Sequence, residues 1–183
     1  MPSKAPAISF RPVEASDLDL LGRWMERPHW REWWGEPQTE LGHIRDMVEG
    51  RDTTRPFLFL VDGKPAGYIQ YWFIGHHQNE IWVKDNPWLM ELPSDAIGVD
   101  LSIGDAGDLS KGLGSAALKS FVSMLREEGF QTIIIDPDPA NGRAVRAYQK
   151  AGFRPIRELE GKTGDVLLMR FAPDAASHGS ADA

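Results

Sequence analysis

Apolar and polar residues alternate at positions 8–13, Ile-Ser-Phe-Arg-Pro-Val, and predict a first strand. The period then lengthens. Leu18, Leu21, Trp24 and Met25 fall on one helical face. That helix is expected to begin at Ser16, where Ser-Asp-Leu-Asp (16–19) reads as a capping box, and to end at Pro28. Residues 29–37, rich in tryptophan, hold no regular period and read as a loop or short turn. A second helical stripe of Leu41, Ile44 and Val48 predicts a helix over 39–49. Apolar runs at 56–61 and 66–74 flank Asp62-Gly63, a strong hairpin signal. Residues 75–95 look irregular, and a segment of that length is mostly functional or mobile.

The second half is more regular. A strand is expected at 96–103 and a helix at 111–128, with Leu113, Ala116, Ala117, Phe121, Met124 and Leu125 as its buried face and Gly129 as its stop. A buried strand follows at 131–137, then a helix at 141–152 closed by Gly152. Segments 153–159 and 165–171 read as a last hairpin. Mixed strands covered by a few helices give an α/β (α+β) layer fold. The strands at 96 and 131 are expected to be parallel neighbours joined by the helix between them. Residues 1–172 read as a single domain and 173–183 as a flexible tail.

Composition narrows the function classes. Hydrophobic residues make up 42% of 183, enough for a real core. The absence of cysteine excludes disulfides and cysteine nucleophiles and fits a reducing compartment. No apolar run resembles a signal peptide or a membrane span, so a cytoplasmic location with no membrane partner is expected. A net charge of −7 argues against nucleic acid and suits a cationic partner. The histidines lack ligand spacing, His76-His77 included, so no metal is expected. Exposed tryptophans leave monomer and homodimer both open.

The stretch Leu109-Ser110-Lys111-Gly112-Leu113-Gly114 opens the helix at 111. Free N–H groups and the positive dipole end make such a helix start a seat for phosphate. The lysine precedes the glycines, so this is no P-loop, and a third glycine is missing for a dinucleotide fingerprint. Taken alone, it reads equally as small residues for close packing. A second element follows in register: Asn141, Ala144, Tyr148, Gly152 and Phe153.

Together these two elements resemble the GCN5-related N-acetyltransferase (GNAT) superfamily. Its signature begins with Gln or Arg where Leu109 stands here, but backbone N–H groups do most of the gripping. The resemblance spans nearly the whole chain. It implies a mixed, mostly antiparallel sheet splayed between the strands at 96–103 and 131–136, and acetyl-CoA as co-substrate. Its cofactor residues map to Leu101, Ser102 and Ile103, to Ser110, Lys111, Gly112, Leu113, Gly114 and Ser115, and to Asn141, Arg143, Ala144, Tyr148 and Lys150. Backbone N–H groups at Leu101 and Ser102 would polarise the thioester carbonyl. Tyr148 matches the superfamily's general acid.

Within the superfamily, residues 32–35, 63–72, 98–103, 110–114 and 136–153 are most similar to aminoglycoside 6′-N-acetyltransferases. That likeness makes Asp100 the amine-binding catalytic base and Asp136 a second contact to the aminoglycoside. Trp34, Gln70 and Tyr71 join them as substrate-binding residues. The residues agree independently. Asp100 is a lone acid inside the apolar strand Ile-Gly-Val-Asp-Leu-Ser-Ile, and Asp136 ends Thr-Ile-Ile-Ile-Asp. If the strands are neighbours, both carboxylates share one sheet edge, although Asp136 also suits the start of a turn. The expected acceptor is a small polycationic amine, met by charge and by flat aromatic faces.

Alternatives remain. Siderophore N-acyltransferases share much of the pattern but carry a histidine where Asp100 stands. Polyamines and protein N-termini are other acceptors of the superfamily. A non-catalytic acyl-CoA-binding module would lack both Asp100 and Tyr148. In 75–95, Asp85, Glu91 and Asp95 are read either as a negative wall of the site or as a solvated loop.

Overall fold

A computed structural model describes residues 4–173. Strand β1 (Ile8–Pro12) leads into a 3-10 turn, Ala15–Asp17, and only then into helix α1 (Leu18–Met25). The expected start at Ser16 is thus two residues early. Asp17 closes the turn. Its buried carboxylate accepts from Arg11 Nη1 and Nη2 at 2.6 and 2.8 Å and from the Glu14 N–H at 2.9 Å. The guanidinium holds the Asp17 carboxyl below its usual range.

Residues 28–33 correct the loop expected there. Pro28–Trp33 forms helix α2, with Pro28 at its first position. Proline ends the preceding helix, and its fixed φ and missing N–H suit the start of the next one. Six residues are too few to display a period. Helix α3 (Pro37–Val48) starts two residues before the expected Thr39, because the Glu36 side chain accepts from the N–H groups of Gln38 and Thr39.

The sheet has seven strands in the order β1-β2-β3-β4-β5-β7-β6. Strands β2 (Arg55–Val61), β3 (Lys64–Phe73) and β4 (Ile97–Ile103) form an antiparallel run with β1. Strand β5 (Ile133–Ile135) is parallel to β4 but pairs only at Ile97–Ile133 and Gly98–Ile134. Beyond that the two strands part, and residues 100–102 of β4 change from buried to half-buried. Chemistry accounts for the parting. The chain continues Asp136-Pro137-Asp138-Pro139, and a proline has no N–H to extend a ladder. The last hairpin is shorter than expected, reduced to β6 (Phe153–Pro155) and β7 (Met169–Phe171), because residues 157–159 turn as a 3-10 helix. All but the first residue of the expected tail, 174–183, lies outside the described residues.

Two cores hold the sheet. Helix α5 (Leu113–Glu127) buries Phe121 and Leu125 against Phe59, Ile69, Tyr71 and Val99. On the opposite face, Trp24, Met25 and Trp30 pack on Leu58 and Tyr68. Side chains alternate across a strand, so Tyr68, Gln70 and Trp72 of β3 share the face opposite α5, with Tyr68 against α1–α3 and Trp72 against residues 74–92, while Ile69, Tyr71 and Phe73 turn towards α5. Helix α6 (Gly142–Lys150) lies beside α5 and ends the open part of the sheet. The segment expected to be irregular holds three short helical turns: Ile74–His77, α4 (Glu80–Val83) and Pro87–Glu91. No helix among the described residues is long and apolar enough to cross a membrane.

Candidate active site

Where β4 and β5 part, a cleft of about 310 Å³ opens against α5 and α6. Leu101, Ser102 and Ile103 line it from the strand. Along β4 the N–H groups alternate sides. Ile97 donates towards β5, to Thr132 O at 3.0 Å, and Gly104 donates towards β3, to Ala66 O at 2.8 Å. Leu101 therefore presents its N–H and C=O to the gap. Ser102 spends its N–H on the β3 ladder opposite Tyr68. This corrects the expectation that both N–H groups face a thioester: Leu101 is the one placed to do so.

The near end of the cleft is built for an anion. Ser110 and Gly112 both adopt left-handed backbone, with φ of 63° and 79°. Successive N–H groups in such a loop converge into a nest. Gly112 is then the N-cap of α5, and the first helical bond runs from Ala116 N–H to Gly112 O at 3.1 Å. The N–H groups of Leu113, Gly114 and Ser115 have no partner inside the helix. Ser110, Gly112, Gly114 and Ser115 line the cleft. Leu113 contributes backbone only, because its side chain packs on the α5 core. Lys111 stands outside the lining, 3.6 Å from Asp108. Arg143, Arg146 and Lys150 of α6 supply cations along the other wall. This donor set, all N–H and cationic groups, fits a phosphorylated cofactor such as acetyl-CoA.

Asn141 caps α6, its Oδ1 accepting from Ala144 N–H at 3.2 Å. Asn141, Ala144 and Tyr148 also line a second cavity of about 340 Å³, which adds Asp100, Asp136 and Asp138 and shares Trp33, Trp34 and Leu101 with the first. Tyr148 thus stands at the junction. Burial and the negative charges of Asp100 and Asp136 keep its phenol well above the ordinary range, so it remains protonated and able to donate.

The two carboxylates come together as the sequence implied. Asp100 is half-buried and faces Gln70, with which it is in register. Gln70 Nε2 donates to Asp100 Oδ2 at 2.9 Å, and Tyr68 Oη donates to Gln70 Oε1 at 2.5 Å. The Tyr68 donation fixes the amide orientation, so Gln70 presents its NH2 to Asp100. Burial pushes the Asp100 carboxyl up, opposed by hydrogen bonds from Gln70 and Trp72. Asp136 is pushed well up by burial and then by the charge of Asp100. Two carboxylates this coupled titrate as a pair.

Trp34 lies edge-on to Tyr68, with ring centres 5.6 Å apart, and borders both cavities. Tyr71 is a correction. It is one residue from Gln70 and therefore on the opposite face of the strand, buried among Phe57, Phe73, Phe121 and Phe130. It touches none of the cavities described here. Sequence reasoning missed His29 and Arg146 along the first cleft, which Trp33 also lines, and Trp72, Trp82 and Trp88 around a third cavity beyond the carboxylates, which His77 also lines. The tryptophan count was the available signal for the latter.

Residues 14–161 match the acetyltransferase (GNAT) domain family. The aminoglycoside N(6′)-acetyltransferase type 1 of Klebsiella pneumoniae is 30% identical over 170 residues, covering 89% of this chain and 82% of that protein. The lysine N-acyltransferase MbtK of Mycobacterium tuberculosis is 26% identical over 185 residues, covering 97% and 83%. Among solved structures, AAC(6′)-Ib in complex with ribostamycin and coenzyme A superposes with a TM-score of 0.76 at 28% identity, covering 97% of this chain and 99% of that one.

Proposed function

This chain belongs to the GNAT acetyltransferase family, and we propose that it moves an acetyl group from acetyl-CoA to a primary amine of a small polycationic acceptor, the 6′-amino group of an aminoglycoside. One observation carries this reading. A cleft that begins at a helix-start anion seat runs into a cavity lined by two carboxylates, Asp100 and Asp136, with Tyr148 at the junction. The likeness to aminoglycoside N(6′)-acetyltransferase supports the choice of acceptor.

The residues divide the work. The Ser110–Ser115 backbone N–H groups and the α6 cations hold the cofactor phosphates. The Leu101 N–H and C=O take up pantetheine and thioester polar groups in place of a strand partner. Asp100 and Asp136 draw the ammonium form of the acceptor into the second cavity. Asp100, held by Gln70, accepts its proton, directly or through water. The freed amine nitrogen forms a bond to the acetyl carbon. The carbon–sulfur bond breaks: Tyr148 gives the thiolate the proton that leaves coenzyme A as a thiol and regains one from the nitrogen as it becomes the amide, while Leu101 N–H steadies the developing oxyanion.

The MbtK likeness favours a second acceptor class, lysine-derived amines. A thiol-release assay with acetyl-CoA against kanamycin, tobramycin, lysine derivatives and spermine separates the readings. Turnover with the aminoglycosides is expected. Turnover with none of them, with acetyl-CoA still bound, overturns the proposal.

A further inference from the structure

The first turn of α2 is tied to the end of β4. Arg27 Nη1 donates to Gly104 O at 2.7 Å, Trp30 Nε1 donates to Ile103 O at 3.0 Å, and His29 Nε2 lies 2.7 Å from the same Ile103 O. A carbonyl only accepts, so His29 Nε2 carries the hydrogen and donates it. In the neutral ring Nδ1 is then an acceptor and nothing else. It is buried and has no hydrogen-bond partner, the one side-chain nitrogen or oxygen in that state among the described residues. A buried acceptor left unpaired costs free energy, and proteins pair nearly all of them. His29 lines the first cleft beside Leu101, Ser102 and Ile103.

The cleft is short of acceptors at this place. The start of α5 and the cations of α6 offer donors, which suits phosphate. The pantetheine arm of the cofactor carries donors of its own, amide N–H groups and a hydroxyl. Ile103 presents its backbone to the same side of β4 as Leu101. A carbonyl has two lone pairs, and His29 and Trp30 take both of those on Ile103. Asn141 Oδ1 is committed to Ala144 N–H. Asp100 and Asp136 line the second cavity and not the first. Along this edge the open Leu101 C=O is therefore followed by a filled carbonyl and, bonded to it, an imidazole whose second nitrogen is still unpaired.

We propose that His29 is a cofactor-binding residue whose Nδ1 accepts a hydrogen bond from an N–H or O–H of the pantetheine arm. Nε2 takes up a carbonyl of the strand, and Nδ1 returns an acceptor to the cleft. The inference rests on the acetyl-CoA half of the reading above and is independent of the amine that receives the acetyl group. It adds a side-chain acceptor to a seat built largely from backbone.

The test is calorimetry with coenzyme A, which needs no amine, on two variants that split the ring. Glutamine places an amide NH2 where the imidazole has Nε2 and leaves nothing at Nδ1. Asparagine places an amide oxygen near Nδ1 and leaves nothing at Nε2. His29→Gln should keep the Ile103 bond and a thermal midpoint within about 3 °C of wild type, and raise the Kd for coenzyme A about tenfold. His29→Asn should melt lower yet keep that Kd within about threefold. A residue that only clips α2 to β4 gives the reverse order, so weaker binding by His29→Asn than by His29→Gln overturns the proposal. Adenosine 3′,5′-bisphosphate carries phosphates without the arm and should bind wild type and His29→Gln alike; a tenfold loss there too overturns the assignment to pantetheine. In the wild-type chain labelled with nitrogen-15 histidine, coenzyme A should shift the His29 Nδ1 resonance and leave Nε2–H nearly in place. That measurement needs no variant, and an unmoved Nδ1 overturns the proposal. If coenzyme A does not bind the wild-type chain, the acetyltransferase reading falls and His29 with it. Equal binding by wild type and His29→Gln removes the role of His29 alone.

Discussion

The two ends of the cleft are made of different materials. The cofactor end uses backbone: the left-handed turns at Ser110 and Gly112, the open N–H groups of α5, and the unpaired edge of β4. The acceptor end uses side chains: two carboxylates, a glutamine–tyrosine relay, and tryptophans carried on short turns. A backbone seat tolerates side-chain change and serves any acyl-CoA. A side-chain seat can be recut for a new amine without disturbing the other end. Substitutions should therefore sort by end, and the parameter each one moves is the check.

The largest effect is expected at the acceptor end. Asp100→Asn should lower kcat by about 10²-fold or more, with acetyl-CoA affinity unchanged by calorimetry. A loss of cofactor affinity of similar size would erase the division. Tyr148→Phe, at the junction, should lower kcat by up to about 10²-fold and leave both KM values near wild type in steady-state kinetics.

A pH profile probes the coupled pair. The proposed base, Asp100, would work deprotonated, and both carboxyls are pushed up. Activity should therefore fall with falling pH at values above the ordinary carboxyl pKa of about 3.9. Removing one negative charge lets the other carboxyl ionise more readily, so Asp136→Asn should move the acid limb of kcat/KM to lower pH. An unmoved limb would show that the two do not titrate together.

Packing gives smaller effects. A Cβ at Gly98 would lie 2.3 Å from Trp72 Cε2, so Gly98→Ala must displace that ring from the third cavity. It should cost about 1–3 kcal/mol in thermal unfolding and raise KM for the acceptor but not for acetyl-CoA. The smallest effect is expected from Tyr71→Phe. This residue faces the α5 core, so activity should stay within about twofold and stability within about 1 kcal/mol.

The same contrast explains what could be read in the chain. The Gly112–Gly114 start was legible only together with the Asn141–Tyr148 helix, because the two elements in register resemble one family pattern that neither shows alone. Asp100 was legible as an acid isolated in an apolar strand. Tyr71 misled because its neighbours Gln70 and Trp72 line the third cavity, and only the two-residue alternation of β3 separates them. The α2 helix and the turns at 74–91 were missed because elements of three to six residues show no period. The aromatic lining of the third cavity was hidden as well. Composition located acids in that segment, but not that they point to solvent.

The most direct measurement identifies the product. Kanamycin, acetyl-CoA and the purified chain should yield one acetyl group per antibiotic molecule by mass, and proton NMR should place it on the exocyclic 6′-amine, with free thiol released in equal amount. Thiol release without an acetylated amine, or an acetyl group on a different amine, would contradict the account.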